Sequence, residues 1–205
     1  LLDVVLEQPL GAKFVTLALD ATDQRIAAGK TVSPGFLFAS LLWHQVLEKW
    51  TAYRAAGEST IPALHLAADD VLDSQTEKLA LQRKIGSDMR DIWSMQPRFE
   101  RRVGKAPHKL LEHLRFRAGY DFLLLRCASG EIDMEIGEWW TAFYEGDEET
   151  REALLVSANA APGAVKKKRP PRRSTRSKTS TGGSTTGSSS DELWSSLLTS
   201  VSVPT

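Results

Sequence analysis

Basic side chains are concentrated in two stretches of the sequence, where they have the chemistry needed to bind a polyanion. Residues 83–126 hold 11 lysines and arginines against 5 acidic residues, and residues 157–190 hold 8 against none. The net charge is still zero, because acidic residues predominate elsewhere, most of all in residues 127–156. Arginine supplies 8 of the 11 basic residues of the first stretch, and its planar fork of donors matches the oxygens of a phosphate group. The two stretches therefore predict two surfaces for a phosphate-rich partner.

A helix over residues 88–103 would separate the arginines of the first stretch from its apolar residues. At about 100° per residue, one arc is apolar and the opposite arc holds the arginines. Pro97 removes one backbone hydrogen bond and is expected to kink this helix. The arginines have two further interpretations, as a solvated face or as ion-pair partners of the acidic stretch 131–152. The candidate phosphate-binding residues are Arg90, Arg98, Arg101, Arg102, Lys105 and Arg115, followed in the second stretch by Lys166, Lys167, Lys168, Arg169, Arg172, Arg173, Arg176 and Lys178.

Asp69, Asp70 and Asp73 are the carboxylates best placed to hold a metal ion, since Asp69 and Asp73 share a helix face. A solvated acidic face explains the same spacing without any chemistry. The four histidines lack metal-ligand spacing, and the sequence has no Cys-x-x-Cys motif. We therefore expect no catalytic residue and no metal site in this chain.

Capping residues and apolar periodicity predict an all-α fold for the first 156 residues. Ser33 precedes Pro34, which suits the first position of a helix, and Gly57 is expected to end that helix. No run of residues alternates as a strand would. Further helices are predicted at 11–28, 62–81, 87–103, 107–112, 114–128 and 131–145.

The composition divides the chain into three parts. Residues 1–156 are predicted to form the helical body, and residues 157–190, rich in Lys, Arg, Ser and Thr, a disordered tail. Residues 191–205 have the pattern of a short amphipathic helix. The single cysteine, Cys127, suits a reducing compartment, and no apolar run is long enough to cross a membrane, so we expect a cytoplasmic location. The chain opens on Leu1 rather than methionine, so a larger parent protein is expected.

Several motifs resemble the C-terminal half of bacterial poly(A) polymerases. The most specific is LLEHLRFRAGYDFLLLR at 110–126, and others are PGFLFASLLW at 34–43, DIW at 91–93 and RRVGK at 101–105. Trp139 and Trp140 fit as well, and the resemblance covers about residues 17–145. The chain departs from the usual family pattern at Pro107, Leu114 and Gly119.

The resemblance implies a class II nucleotidyltransferase, related to CCA-adding enzymes, which adds adenylates from ATP to RNA 3′ ends with magnesium. In that family an α/β head carries catalysis, while a helical body holds RNA. The resemblance thus identifies residues 1–156 as an RNA-binding body, with RNA 3′ ends as partners and no cofactor in this chain. A helical scaffold that recruits RNA-decay proteins through its tail and Trp194 is the alternative. An enzyme that uses Asp69, Asp70 and Asp73 is the third hypothesis.

Overall fold

A computed structural model describes residues 9–79 and 82–160, and within these ranges the chain is helical with no strand. This confirms the all-α fold predicted from the sequence. Residues 161–190 of the predicted tail and the predicted terminal helix lie outside the described residues, whereas residues 157–160 are described and are helical. In chain order the helices are α1 (Pro9–Ala27), α2 (Pro34–Ala55), α3 (Thr60–Leu79), α4 (Arg83–Phe99), α5 (Ala106–Leu111), α6 (Phe116–Ser129), α7 (Met134–Glu145) and α8 (Glu148–Ala160).

Helix α4 begins four residues before the predicted start at 87. Gln82 has extended backbone angles, φ −64° and ψ 143°, so the helix starts directly after it, and Ser87 lies inside the helix rather than capping it. Pro97 lies within the last turn of α4, two residues before its end. The chain then turns, with the N–H of Arg101 donating to the carbonyl of Arg98 at 3.1 Å. Gly104 follows with a φ of 62°, a conformation that glycine adopts without steric cost.

Helix α8 was not among the predicted helices, although the sequence carries its start signal. The N–H of Thr150 donates to the side chain of Asp147 at 2.9 Å, as at a capped helix N-terminus. Glu148 and Glu149 occupy the first turn, where the helix dipole favours acidic side chains. The helix continues to Ala160, beyond the boundary at 156 that was predicted for the helical body.

An aromatic cluster forms the centre where α1, α2 and α6 meet. The ring of Phe122 lies 5.2 Å from that of Phe14 and 5.3 Å from that of Trp43, in tilted and edge-to-face arrangements. All three side chains are fully buried. Burial of each such side chain contributes about 1.5–3 kcal/mol relative to exposure, so this cluster holds α1 and α2 against α6.

Helix α4 is held by three of its neighbours through buried polar contacts. The indole N–H of Trp93 donates to the carbonyl of Ala39 on α2 at 3.1 Å. The amide of Gln96 donates to the carbonyl of Gly119 on α6, also at 3.1 Å. The carbonyl of Phe99 accepts from the indole of Trp140 on α7 at 2.8 Å. These bonds fix the rotation of α4, and with it the face that the helix turns outward.

Candidate nucleic-acid interface

The two faces of α4 differ sharply in burial, as the sequence predicted. Met89, Ile92, Trp93 and Phe99 are buried against neighbouring helices. On the outward face the arginines of the helix are exposed. Because buried polar bonds hold the inner face, the outer face is a rigid surface for charged side chains.

Arg98, Arg101 and Lys105 are the exposed candidates without an internal ion pair. All three side chains are exposed at the C-terminal end of α4 and in the turn that follows. Among the described residues, none of the three forms a salt bridge within 4.0 Å. We call these residues the free cation group. Their donors remain available to a phosphate.

Two other candidates are already ion-paired at the surface. The Nε of Arg90 lies 2.8 Å from a carboxylate oxygen of Asp69, and both side chains are about half exposed. Arg102 lies 2.9 Å from Glu135 on α7, with only 25% of its side chain exposed. Its guanidinium also lies over the ring of Trp139, 5.9 Å from the ring centre. Arg102 therefore connects the turn after α4 to α7.

Arg115 forms an ion pair with Asp88 that joins the start of α6 to α4. The Asp88 side chain also borders Gly35 near the start of α2, where an added Cβ would lie 2.8 Å from the Cβ of Asp88. Three helices thus converge on this carboxylate. The structure places Arg115 in a structural contact, apart from the free cation group.

Arg126 is the centre of a buried polar network. Its side chain is 5% exposed and lies 2.8 Å from Glu131. The guanidinium lies over the ring of Trp43, 4.9 Å from the ring centre, and donates to Gln96 at 3.3 Å. The indole of Trp43 donates to the same carboxylate of Glu131 at 2.8 Å. With Arg102, this confirms that part of the arginine population pairs with the acidic stretch 131–152.

The aspartate trio of α3 has a structural arrangement. Asp69 holds Arg90 on α4. Asp70 accepts hydrogen bonds from Tyr53 at 2.8 Å and Lys49 at 3.3 Å, both on α2. The bond from Tyr53 is the main cause that lowers the pKa of Asp70. Asp73 is exposed, so the trio joins α2, α3 and α4 at the surface rather than converging on one point.

Three exposed cations were not among the candidates from the sequence analysis. Arg83 and Lys84 occupy the first turn of α4, and Lys109 lies on α5. Arg83 and Lys84 were missed because the helix was expected to begin at 87. A signal was present, since Arg83 precedes Arg90 by seven residues, which is two helical turns. The basic candidates Lys166 to Lys178 lie outside the described residues.

Other kinds of site find little support in the described part of the chain. No group of three or more metal-ligating side chains occurs within 9–79 and 82–160. The same residues contain no helix long and apolar enough to cross a membrane. Cys127 is buried, and burial raises the pKa of its thiol to about 11, so the thiolate needed for a nucleophile is scarce at neutral pH.

The chain matches known proteins over most of its length. A family model described as polymerase A arginine-rich C-terminus covers residues 56–176. Poly(A) polymerase I of Haemophilus influenzae is 34% identical over 151 residues, which is 73% of this chain and 33% of that protein. Poly(A) polymerase I of Escherichia coli is 38% identical over 156 residues, with the same shares, and that of Salmonella typhi is 37% identical over 149 residues. The chain spans about a third of the length of these curated relatives. Because the family model covers more than half of its residues, the chain belongs to the family of the polymerase A arginine-rich C-terminus.

Proposed function

We propose that this chain binds RNA during the addition of adenylates to RNA 3′ ends by a poly(A) polymerase. The observation that carries the proposal is the free cation group, Arg98, Arg101 and Lys105, exposed beside a rigidly held helix. Membership in the polymerase A family supports RNA as the polyanion. The eight basic residues between Lys166 and Lys178 supply a second cationic stretch.

Binding of this kind is mainly electrostatic and largely independent of RNA sequence. Lysine and arginine contacts to phosphates position a nucleic acid but carry no base information. The aromatic side chains of residues 88–126 are mostly buried among the helices, as are Trp93, Phe99, Phe116 and Tyr120. They are therefore used in the core and are not available as stacking surfaces for bases.

The proposed contribution of this chain is binding rather than phosphoryl transfer. The reaction that the family resemblance implies uses magnesium and ATP. The aspartates of α3 are the carboxylates whose fit to a magnesium ion can be examined. They do not fit it, because Asp69 and Asp70 are occupied by Arg90, Lys49 and Tyr53. With ATP, magnesium and a short RNA, the purified chain is expected to add no adenylate.

The direct test is binding of the full chain to a fluorescently labelled single-stranded RNA, followed by anisotropy at low salt. The variant R98Q/R101Q/K105Q should bind several-fold more weakly than the wild type. The matched control K13Q/K30Q/R54Q removes three cations from other helices and loops and should bind almost as the wild type does. Equal affinities of the two variants would show that the free cation group is not an RNA surface.

A helical scaffold for RNA-decay proteins is the second candidate function, and one observation favours it. Leu114, in the turn between α5 and α6, is 95% exposed and is the apolar side chain to test in such a contact, although an interface needs a larger apolar patch than one residue supplies. If the chain binds a protein bait at high salt and binds no RNA, the scaffold function would be favoured over RNA binding. For either function the cytoplasm is the compartment we propose, which the single buried cysteine suits.

A further inference from the structure

One face of α4 carries polar donors along its whole length. Arg83, Ser87, Arg90, Ser94 and Arg98 follow one another at steps of three or four residues. At about 100° per residue these positions fall within an arc of about 80°. Because a helix rises about 1.5 Å per residue, the donors recur every 4.5–6 Å, and Arg83 and Arg98 are about 22 Å apart along the axis. We call this row the α4 stripe.

The stripe continues past the end of the helix and is open to solvent. Arg101 follows in the turn after the helix, where its N–H donates to the carbonyl of Arg98 at 3.1 Å. Arg83, Ser87, Arg90, Arg98 and Arg101 are exposed, and Ser94 is half-buried. The opposite side of α4 is buried against α2, α3 and α6. The row therefore lies on the solvent side of α4, and Arg90 is the member that also contacts a neighbouring helix, through Asp69.

Among the described residues, few acidic side chains lie near the stripe, and two of them already form ion pairs with arginines. Asp69 of α3 pairs with Arg90 through two half-exposed side chains, an arrangement that contributes little stability and exchanges readily for another anion. Asp88 is directed to Arg115. Asp91, half-buried, borders the stripe one residue after Arg90. The stripe and Arg101 together hold four arginines, against Asp69 and Asp91 as the bordering carboxylates among the described residues, so the row keeps an excess of positive charge.

We propose that the α4 stripe holds the backbone of one RNA strand parallel to the helix axis, from Arg98 and Arg101 to Arg83. The proposal rests on the proposed RNA-binding function and specifies the path of the strand. Arginine forks and serine hydroxyls are both regular donors to phosphate oxygens. The Ser94 hydroxyl already donates to the carbonyl of Asp91 at 3.1 Å, so the contact rests on the arginines and on exposed Ser87. The repeat of the donors is of the same order as the spacing of successive phosphates along an extended strand. A single row suits one strand, and its bases face away from the helix, so the stripe has no means of reading base identity.

The test compares two double variants of the full chain. R83Q/R90Q removes a first-turn cation of α4 that has no ion pair among the described residues and a cation paired with Asp69. The control K84Q/K49Q removes the exposed neighbour of Arg83, about 100° around the helix, and a cation paired with Asp70. Both variants lose the same charge, from the same kinds of surroundings. Thermal unfolding confirms that both are folded.

The measurement is the slope of log affinity against log salt for a single-stranded RNA long enough to span the stripe. Each lost phosphate contact makes the negative slope shallower by about 0.7 units. R83Q/R90Q should therefore flatten the slope by about 1.4 units, and the control should leave it nearly unchanged. The difference should vanish with RNAs too short to reach from Arg98 to Arg83. Adenylate and uridylate strands should give equal effects.

Failure of this proposal is distinct from failure of the proposed function. Should the wild type bind RNA with a steep salt dependence while R83Q/R90Q behaves as the control does, RNA binding stands and the path along α4 is wrong. Should the difference persist in very short RNAs, Arg83 and Arg98 do not lie on one strand, and the proposal is again wrong. A wild type that binds no RNA overturns both.

Discussion

At the scale of single residues, the arginines of this protein divide into those that hold the fold and those that face solvent. Arg115 and Arg126 contact acidic side chains from other elements of the chain. Arg98 and Arg101 have no such partner among the described residues. These arginines are of one residue type and lie close together in the sequence, so it is their contacts in the folded protein that distinguish the two groups.

Adjacent Arg101 and Arg102 should respond oppositely to alanine substitution. R102A loses a surface ion pair and a contact with the Trp139 ring, so its free energy of unfolding should fall by about 1 kcal/mol. R101A should leave stability unchanged and weaken RNA binding. Urea denaturation and RNA anisotropy on both variants check this. A larger loss of RNA affinity in R102A than in R101A would contradict the assignment.

Arg126 should be the most costly arginine to remove. R126A leaves the carboxylate of Glu131, which is 9% exposed, without its charged partner, and breaking a buried pair in this way costs about 3–5 kcal/mol. Urea denaturation should show the loss, while exposed R54A serves as control and should change stability by less than about 0.5 kcal/mol. The double variant R126M/E131Q should be more stable than R126A, since neither charge is then left alone.

At the scale of elements, apolar periodicity predicted the helices well and their ends less well. The Gly57 and Gly130 turns have φ of 100° and 86°, and Gly57 was correctly expected to stop a helix. Helix α4 was predicted to begin late because Ser87 resembles a cap, although the extended backbone of Gln82 starts the helix earlier. Local sequence patterns do not decide between two competing start points when the surrounding helices stabilise the longer one.

The ion pairs and side-chain hydrogen bonds that join distant parts of the chain could not be specified from sequence spacing. Arg102 meets Glu135, 33 residues away, and Trp43 meets Glu131, 88 residues away. The sequence indicated only that arginines and the acidic stretch were possible partners. Helix packing decides which arginines remain without an acidic partner, and the sequence therefore could not identify the members of the candidate site.

The close approach of α2 and α4 provides a prediction about the support of the arginine face. In G35A the new Cβ would lie 2.8 Å from the Cβ of Asp88, an atom too near the backbone to move easily. The variant should lose about 1–3 kcal/mol through overpacking. The matched control is G86A in α4, where the nearest atom is 3.9 Å away and alanine should raise helix stability by up to about 1 kcal/mol. Equal stabilities in thermal or urea unfolding would show that α2 and α4 are not in close contact.

At the scale of the whole molecule, the neutral net charge is the sum of segments with opposite charge. Residues 127–156 carry nine acidic side chains and one basic one, of which Glu131 and Glu135 hold Arg126 and Arg102. Glu138, Glu145, Glu148 and Glu149 are exposed on α7 and α8. This acidic surface repels a polyanion, so RNA should lie along α4 and away from α7 and α8.

The salt dependence of RNA binding by the full chain tests the central claim most directly. If the three residues of the free cation group, Arg83 and Arg90 of the α4 stripe, and about five of the eight basic residues at 166–178 neutralise phosphates, the slope of log affinity against log salt should be about −7. Deletion of residues 166–178 should flatten that slope by about 3 to 4 units and leave a smaller, measurable slope from the helical body. Absence of binding at low salt, or a slope near zero in the full chain, would contradict the claim that this protein holds RNA through its arginines and lysines.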